Sequence, residues 1–141
     1  MNGKASGAIL DKQAQQTFAE LAEQYNDPKV LPRDFQLKVG DKVLTADPVV
    51  STGAPVYSGA TTSDVMGFFR RLAGVEDMPS AAMVPGKGIV YSVKITSGPN
   101  AGSAISLRNF STSAEQTGAV WTIDVKNPAI NNGRFVELKF K

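Results

Sequence analysis

The sequence predicts an α+β protein in which N-terminal helices pack on a twisted antiparallel sheet of four to five strands. Two observations carry this. Apolar residues recur at helical spacing in two segments before residue 75, and after Pro85 the apolar period changes to two and stays there to the end of the chain.

The first helix is expected from Ile9 to Tyr25. Ile9, Leu10, Ala14, Phe18, Leu21, Ala22 and Tyr25 recur three and four residues apart, and Asn26-Asp27-Pro28 stops the pattern. Between Asn26 and Ala60 the chain is punctuated by Pro, Gly and Asp. Only short runs such as Phe35 to Val39 and Lys42 to Thr45 read as strands or extended loops. The second helix is expected after the hydroxyls of Thr61, Thr62 and Ser63. Asp64 suits its first turn, Val65, Met66, Phe68, Phe69 and Leu72 form its apolar face, and Gly74 ends it. Arg70 and Arg71 fall in its last turn, where cations complement the helix dipole, which favours a structural role for the pair.

Four strands are expected at Ile89 to Thr96, Ser103 to Asn109, Ala119 to Lys126 and Arg134 to Phe140. The connectors at 97–102 and 127–133 are rich in Gly, Asn and Pro, as antiparallel turns require. A boundary is expected at Pro79-Ser80. It separates an N-terminal helical and irregular region, residues 1–78, from a C-terminal sheet domain, residues 79–141. The first region carries eight Lys/Arg against ten Asp/Glu and the second seven against three, so the positive charge belongs to the sheet.

The 141 residues include no cysteine and no histidine. A disulfide framework and the Ser-His-Asp and Cys-His mechanisms are therefore excluded, and proton chemistry falls to Lys, Arg, Asp, Glu, Tyr, Ser or Thr. No stretch approaches the roughly 20 apolar residues that span a bilayer, and the opening MNGKASGAIL lacks the apolar run of a secretory signal. No membrane partner is expected.

Alternation sorts each expected strand into two rows. Ile89, Tyr91, Val93 and Ile95, then Ile105 and Leu107, then Trp121, Ile123 and Val125, then Val136, Leu138 and Phe140 form the core rows; Trp121 and Tyr91 are read as core. The opposite rows are Val90, Ser92, Lys94 and Thr96, then Ser106 and Arg108, then Val120, Thr122, Asp124 and Lys126, then Phe135, Glu137, Lys139 and Lys141, and they gather Lys94, Arg108, Thr122, Asp124, Glu137 and Lys139. This is the ordinary pattern of a half-buried sheet. It is also an inventory suited to phosphodiester chemistry, because Arg and Lys stabilise charge developing on a phosphoryl group and a carboxylate or Lys can move a proton.

The segment from Arg108 through Asn109, Phe110, Ser111, Thr112 and Ser113 to Gly118 leaves a strand into a hydroxyl-rich loop. It suits either phosphate binding or a polar turn. Gly86-Lys87-Gly88 lacks Walker spacing and is a weak phosphate motif. The order Asp124, Glu137, Lys139 matches that of Asp…Glu-x-Lys metal-dependent nucleases, and a Mg²⁺ ion held by Asp124 and Glu137 is the alternative chemistry.

Together, Val84 to Lys94, Leu107 to Ser113, Gln116 to Asp124 and Glu137 to Phe140 resemble the C-terminal toxin tips of bacterial polymorphic toxins. The similarity is to contact-dependent growth inhibition toxins and filamentous-haemagglutinin-like exoproteins, and it covers about the last 60 residues. It implies a domain at the end of a large secreted or cell-surface exoprotein, acting in the target-cell cytoplasm and neutralised in the producer by a cognate immunity protein. Many such tips adopt the fold shared by barnase, EndoU, colicin and RelE ribonucleases, which cleave RNA, commonly tRNA, without a metal or other cofactor. Under that resemblance the expected catalytic residues are Arg108, Thr122, Lys94, Lys139, Ser111 and Ser113. Lys87, Asn109, Thr112, Lys126 and Lys141 are the expected substrate contacts. A metal-dependent DNase and a non-enzymatic anion-binding module are the alternatives.

Overall fold

A computed structural model of the chain describes residues 7–31, 34–47, 54–98, 100–110 and 120–141. Helix α1 runs Gly7–Tyr25, strands β1 and β2 run Gln36–Val39 and Lys42–Thr45, and β3 is Val56–Tyr57. Helix α2 runs Thr62–Ala73 and is followed by β4 (Ala82–Val84), β5 (Gly88–Lys94), β6 (Ala104–Arg108), β7 (Trp121–Lys126) and β8 (Val136–Phe140). The α+β class and both helices match the expectation from the periodicity.

The sheet is larger than expected. It has six strands in the order β3-β8-β7-β6-β5-β4, with β3 and β8 parallel and every other pair antiparallel. The two additions are edge strands of two and three residues, too short to show a period in the sequence. β1 and β2 form a separate hairpin. An isolated bridge between Ala46 and Tyr57 and an ion pair between Lys141 and Asp47, at 2.8 Å, join the end of that hairpin to the edge of the main sheet.

α2 starts where its capping chemistry dictates. The Thr61 hydroxyl accepts from the Asp64 N–H at 3.1 Å, and the Asp64 carboxylate accepts from the Thr61 N–H at 2.9 Å, a reciprocal capping box. Asp64 also meets the Lys42 ammonium at 2.7 Å, which pins the hairpin to the helix start. The helix ends at Gly74, whose φ of +70° places it in the left-handed region where a side chain would be strained. Arg70 and Arg71 lie in the last turn, and their carbonyls accept from the C-cap backbone.

α2 lies against β6, and α1 packs on α2. Between them Phe18, Leu21, Val65, Phe68, Phe69 and Leu72 close over Ile105, Leu107, Ile123, Val125, Leu138 and Phe140, all buried. Both sides of the boundary expected at Pro79-Ser80 contribute to this core, and β3 from the first region hydrogen-bonds to β8 of the second. Trp121 and Tyr91 pack at the margin of the core, half-buried, and the Trp121 indole donates to the Thr62 hydroxyl at 3.3 Å. Among the described residues no helix is long and apolar enough to cross a membrane.

Two core hydroxyls, those of Tyr25 and Tyr57, have no hydrogen-bond partner among the described residues. Burial pushes both phenols above their ordinary range; the charge of Glu137 adds to the rise at Tyr25, and Tyr25 to that at Tyr57. A raised folded-state pKa contributes stability that is present below the unfolded value and lost as pH climbs past about 10. Tyr57→Phe is therefore expected to keep or gain stability at neutral pH and to move the alkaline unfolding transition upward, as read by circular dichroism across a pH series. Asp64 works in the opposite direction. Its hydrogen bond from Lys42, and then that from the Thr61 backbone, hold its carboxyl below the ordinary range, so its contribution is present above about pH 4 and lost in acid. Asp64→Asn is expected to flatten the acid limb of the thermal-stability profile.

Candidate functional site

The strand registers turn the polar rows of the sequence into three lines across one face of the sheet. The outer line runs Lys94, Ala104, Lys126; the middle line runs Ser92, Ser106, Asp124, Glu137; the inner line runs Val90, Arg108, Thr122, Lys139, Val56. Exposure falls across them. Lys94 and Lys126 are exposed, Asp124 and Glu137 are intermediate, and Thr122 and Lys139 retain only 1% and 4% of their surface.

Arg108 is the hub of the face. Its Nε donates to Asp124 Oδ2 at 2.8 Å and its Nη2 to Asp124 Oδ1 at 3.3 Å, a two-pronged contact. Nη2 also donates to Glu137 Oε2 at 2.9 Å, and Nη1 donates to the Phe110 carbonyl at 2.7 Å. The guanidinium lies 5.7 Å from the Phe110 ring centroid. Ser106 Oγ donates to Asp124 Oδ2 at 3.3 Å, and Lys139 Nζ lies 4.0 Å from Glu137 Oε2. Hydrogen bonding to Asp124 outweighs desolvation and holds the guanidinium above its ordinary pKa, so it remains a cation.

The register thus brings Arg108, Thr122 and Lys139 together as direct neighbours on three strands and adds Asp124 and Glu137 in the next line. It does not bring Lys94 to them. Lys94 pairs with Ala104, four residues along β6 from Arg108, roughly 13 Å at the rise of a strand. Lys94 and Arg108 are therefore not direct neighbours on this face, whereas Arg108, Thr122 and Lys139 are. The reason is register, which the strand sequences do not contain.

The remaining expected residues fall in several places. Ser111, Thr112 and Ser113 lie outside the described residues. Lys87 is on the exposed turn between β4 and β5, beyond the inner line. Lys126 is exposed, with its ammonium 5.3 Å from the Phe135 ring centroid, and Lys141 is paired with Asp47. Asn109 turns to the backbone. Its Oδ1 accepts from the Ile89 N–H at 2.8 Å, directly over Gly88, whose φ is +154° and where an added Cβ would overlap Asn109 Oδ1. Its described contact clamps the start of β5 to the end of β6.

Among the described residues, Ser106 and Phe110 also belong to the Arg108 surroundings. Ser106 lies on the polar row of its strand, a signal legible by alternation. Phe110 follows the strand, where alternation has ended, and no pattern marks it. A concavity of about 430 Å³ lined by Tyr25, Asn26, Pro28, Pro128, Ala129, Asn131 and Asn132 contains none of the residues of this face.

The two carboxylates that would form a metal pair instead meet at the guanidinium of Arg108, whose charge opposes a divalent cation in the same place. Among the described residues no group of three or more acidic side chains has metal-holding geometry.

The two arms of the network differ in worth because they differ in exposure. The Asp124 side chain is 16% exposed and that of Glu137 41%. Removing Asp124 takes the two-pronged partner from a partly buried guanidinium, which keeps only Glu137 and the Phe110 carbonyl, and removes the acceptor of the Ser106 hydroxyl, so Asp124→Ala is expected to lower unfolding free energy by about 1–3 kcal/mol in urea titrations. Glu137→Gln is expected to stay within about 1 kcal/mol of the parent protein. Compared with known protein families, curated proteins and solved structures, the chain shows no match.

Proposed function

We propose that this face is the active site of a metal-independent endoribonuclease of the barnase, EndoU, colicin and RelE type, acting on tRNA as the toxic tip of a secreted antibacterial exoprotein and neutralised by a cognate immunity protein. The observation that carries the chemistry is the Arg108 guanidinium held by Asp124 and Glu137 in the line that also holds Thr122 and Lys139. The biological setting rests on the sequence resemblance.

The mechanism uses the unequal arms. A phosphodiester competes with the more exposed Glu137 for Nη2 of Arg108, while Asp124 and Phe110 keep the guanidinium aimed. The released Glu137 carboxylate accepts the proton of the ribose 2′-OH. The 2′-oxygen bonds to phosphorus, and Arg108 stabilises the charge that develops on the phosphoryl oxygens. The bond from phosphorus to the 5′-oxygen then breaks, and that oxygen takes a proton from Lys139, leaving a 2′,3′-cyclic phosphate and a 5′-hydroxyl. No histidine is needed at any step.

The test is incubation of the purified chain with total tRNA, with and without EDTA, read on a denaturing gel beside Arg108→Ala and Glu137→Gln. The expected result is EDTA-resistant cleavage slowed at least about 100-fold in each variant. Cleavage abolished by EDTA, or RNA intact in every lane, overturns the reading.

A further inference from the structure

We propose that the outer line of the polar face is a second subsite, in which Phe135 stacks on the base of a single-stranded nucleotide flanking the scissile one while Lys94 and Lys126 hold its phosphate. This rests on the ribonuclease reading above and extends it to the form of RNA bound.

The register builds the subsite. Lys94, Ala104 and Lys126 are cross-strand neighbours, and the pairing of Val125 with Val136 puts Phe135 beside Lys126 at the start of β8. The contact is real in space, since the Lys126 ammonium lies 5.3 Å from the ring centroid. Phe135 is 59% exposed and lies outside the core cluster, so its ring has no packing partner there to explain an aromatic residue in a polar row. Ala104 is the only small apolar side chain in the line, and it leaves a low floor between two long cationic ones.

Charge divides the face in the same direction. The outer line carries two lysines and no carboxylate, whereas both carboxylates of the middle line are engaged by Arg108. Among the described residues an anion therefore meets two lysines without an acidic partner at the outer line and must displace Glu137 at the inner one. The ammonium over the Phe135 ring marks an accessible π-face. A base replaces it there, and the freed ammonium moves to the phosphate. The separation from Arg108, roughly 13 Å along the strands, keeps this nucleotide clear of the reacting one. Stacking on a π-face accepts every base, so the subsite selects unpaired RNA without selecting its sequence.

The test is fluorescence anisotropy with a labelled 2′-O-methyl single-stranded RNA oligonucleotide, which binds but offers no attacking hydroxyl. Phe135→Ala is expected to raise Kd about tenfold, with Phe135→Trp restoring it. Lys94→Ala is expected to reduce the slope of log affinity against log salt by about 0.7, one phosphate contact on a single strand. An unchanged Kd in Phe135→Ala, with its circular dichroism unaltered, overturns the proposal. RNA bound through Phe135 but never cut would sink the nuclease reading and leave the subsite standing; RNA cut, with Kd indifferent to Phe135, would do the reverse.

Discussion

Burial of one side of the central strands beneath α2 is the constraint from which the rest of the structure follows. Ile105, Leu107, Ile123, Val125 and Leu138 are all at or below 1% exposure. Each such side chain contributes roughly 1.5–3 kcal/mol relative to an exposed one. A slip of one residue in any strand would exchange this row for Arg108, Thr122, Asp124 and Glu137, placing charges in the core. The register is therefore held by the apolar side, and the polar side inherits it.

That inheritance explains why the polar face is ordered without a large network of its own. Arg108 faces Thr122 because Leu107 faces Ile123 one position away, and Asp124 faces Glu137 because Ile123 faces Leu138. Within that frame the guanidinium needs only modest energy to organise its neighbours. Its contact with Asp124 is shielded from water and two-pronged, while that with Glu137 is more open and single. A pair of the second kind is worth at most about 1 kcal/mol, small enough for a phosphate to displace. In the mechanism we propose, the partially buried pair keeps the arginine in place during that exchange.

The gradient of exposure across the face separates two kinds of positive charge. Lys139 is enclosed in the inner line, close to Glu137, where a low effective dielectric strengthens its field. Lys94 and Lys126 stand in solvent, where charges steer and hold a polyanion but are screened within about 8–10 Å at ordinary salt. In the reading we propose, a polyanion lying along the face meets diffuse attraction first and a focused, partly dehydrated cation second.

Much of this was determined by the sequence alone. The switch from helical to alternating period located both helices and the four long strands, the Thr61 to Asp64 hydroxyl and carboxyl chemistry marked the start of α2, and alternation placed Arg108, Thr122, Asp124, Glu137 and Lys139 on one face. These are local properties, set by rotation per residue and by side-chain reach along a single segment. The tertiary structure alone decided which residues on that face are neighbours. The short edge strands β3 and β4, the distance of Lys94 from Arg108, the hydrogen bond that Asn109 accepts from Ile89, the burial of Thr122 and Lys139 and the meeting of Phe135 with Lys126 all depend on pairing between segments far apart in the chain. Register is selected by the fit of the whole core, and no single strand carries enough information to specify it.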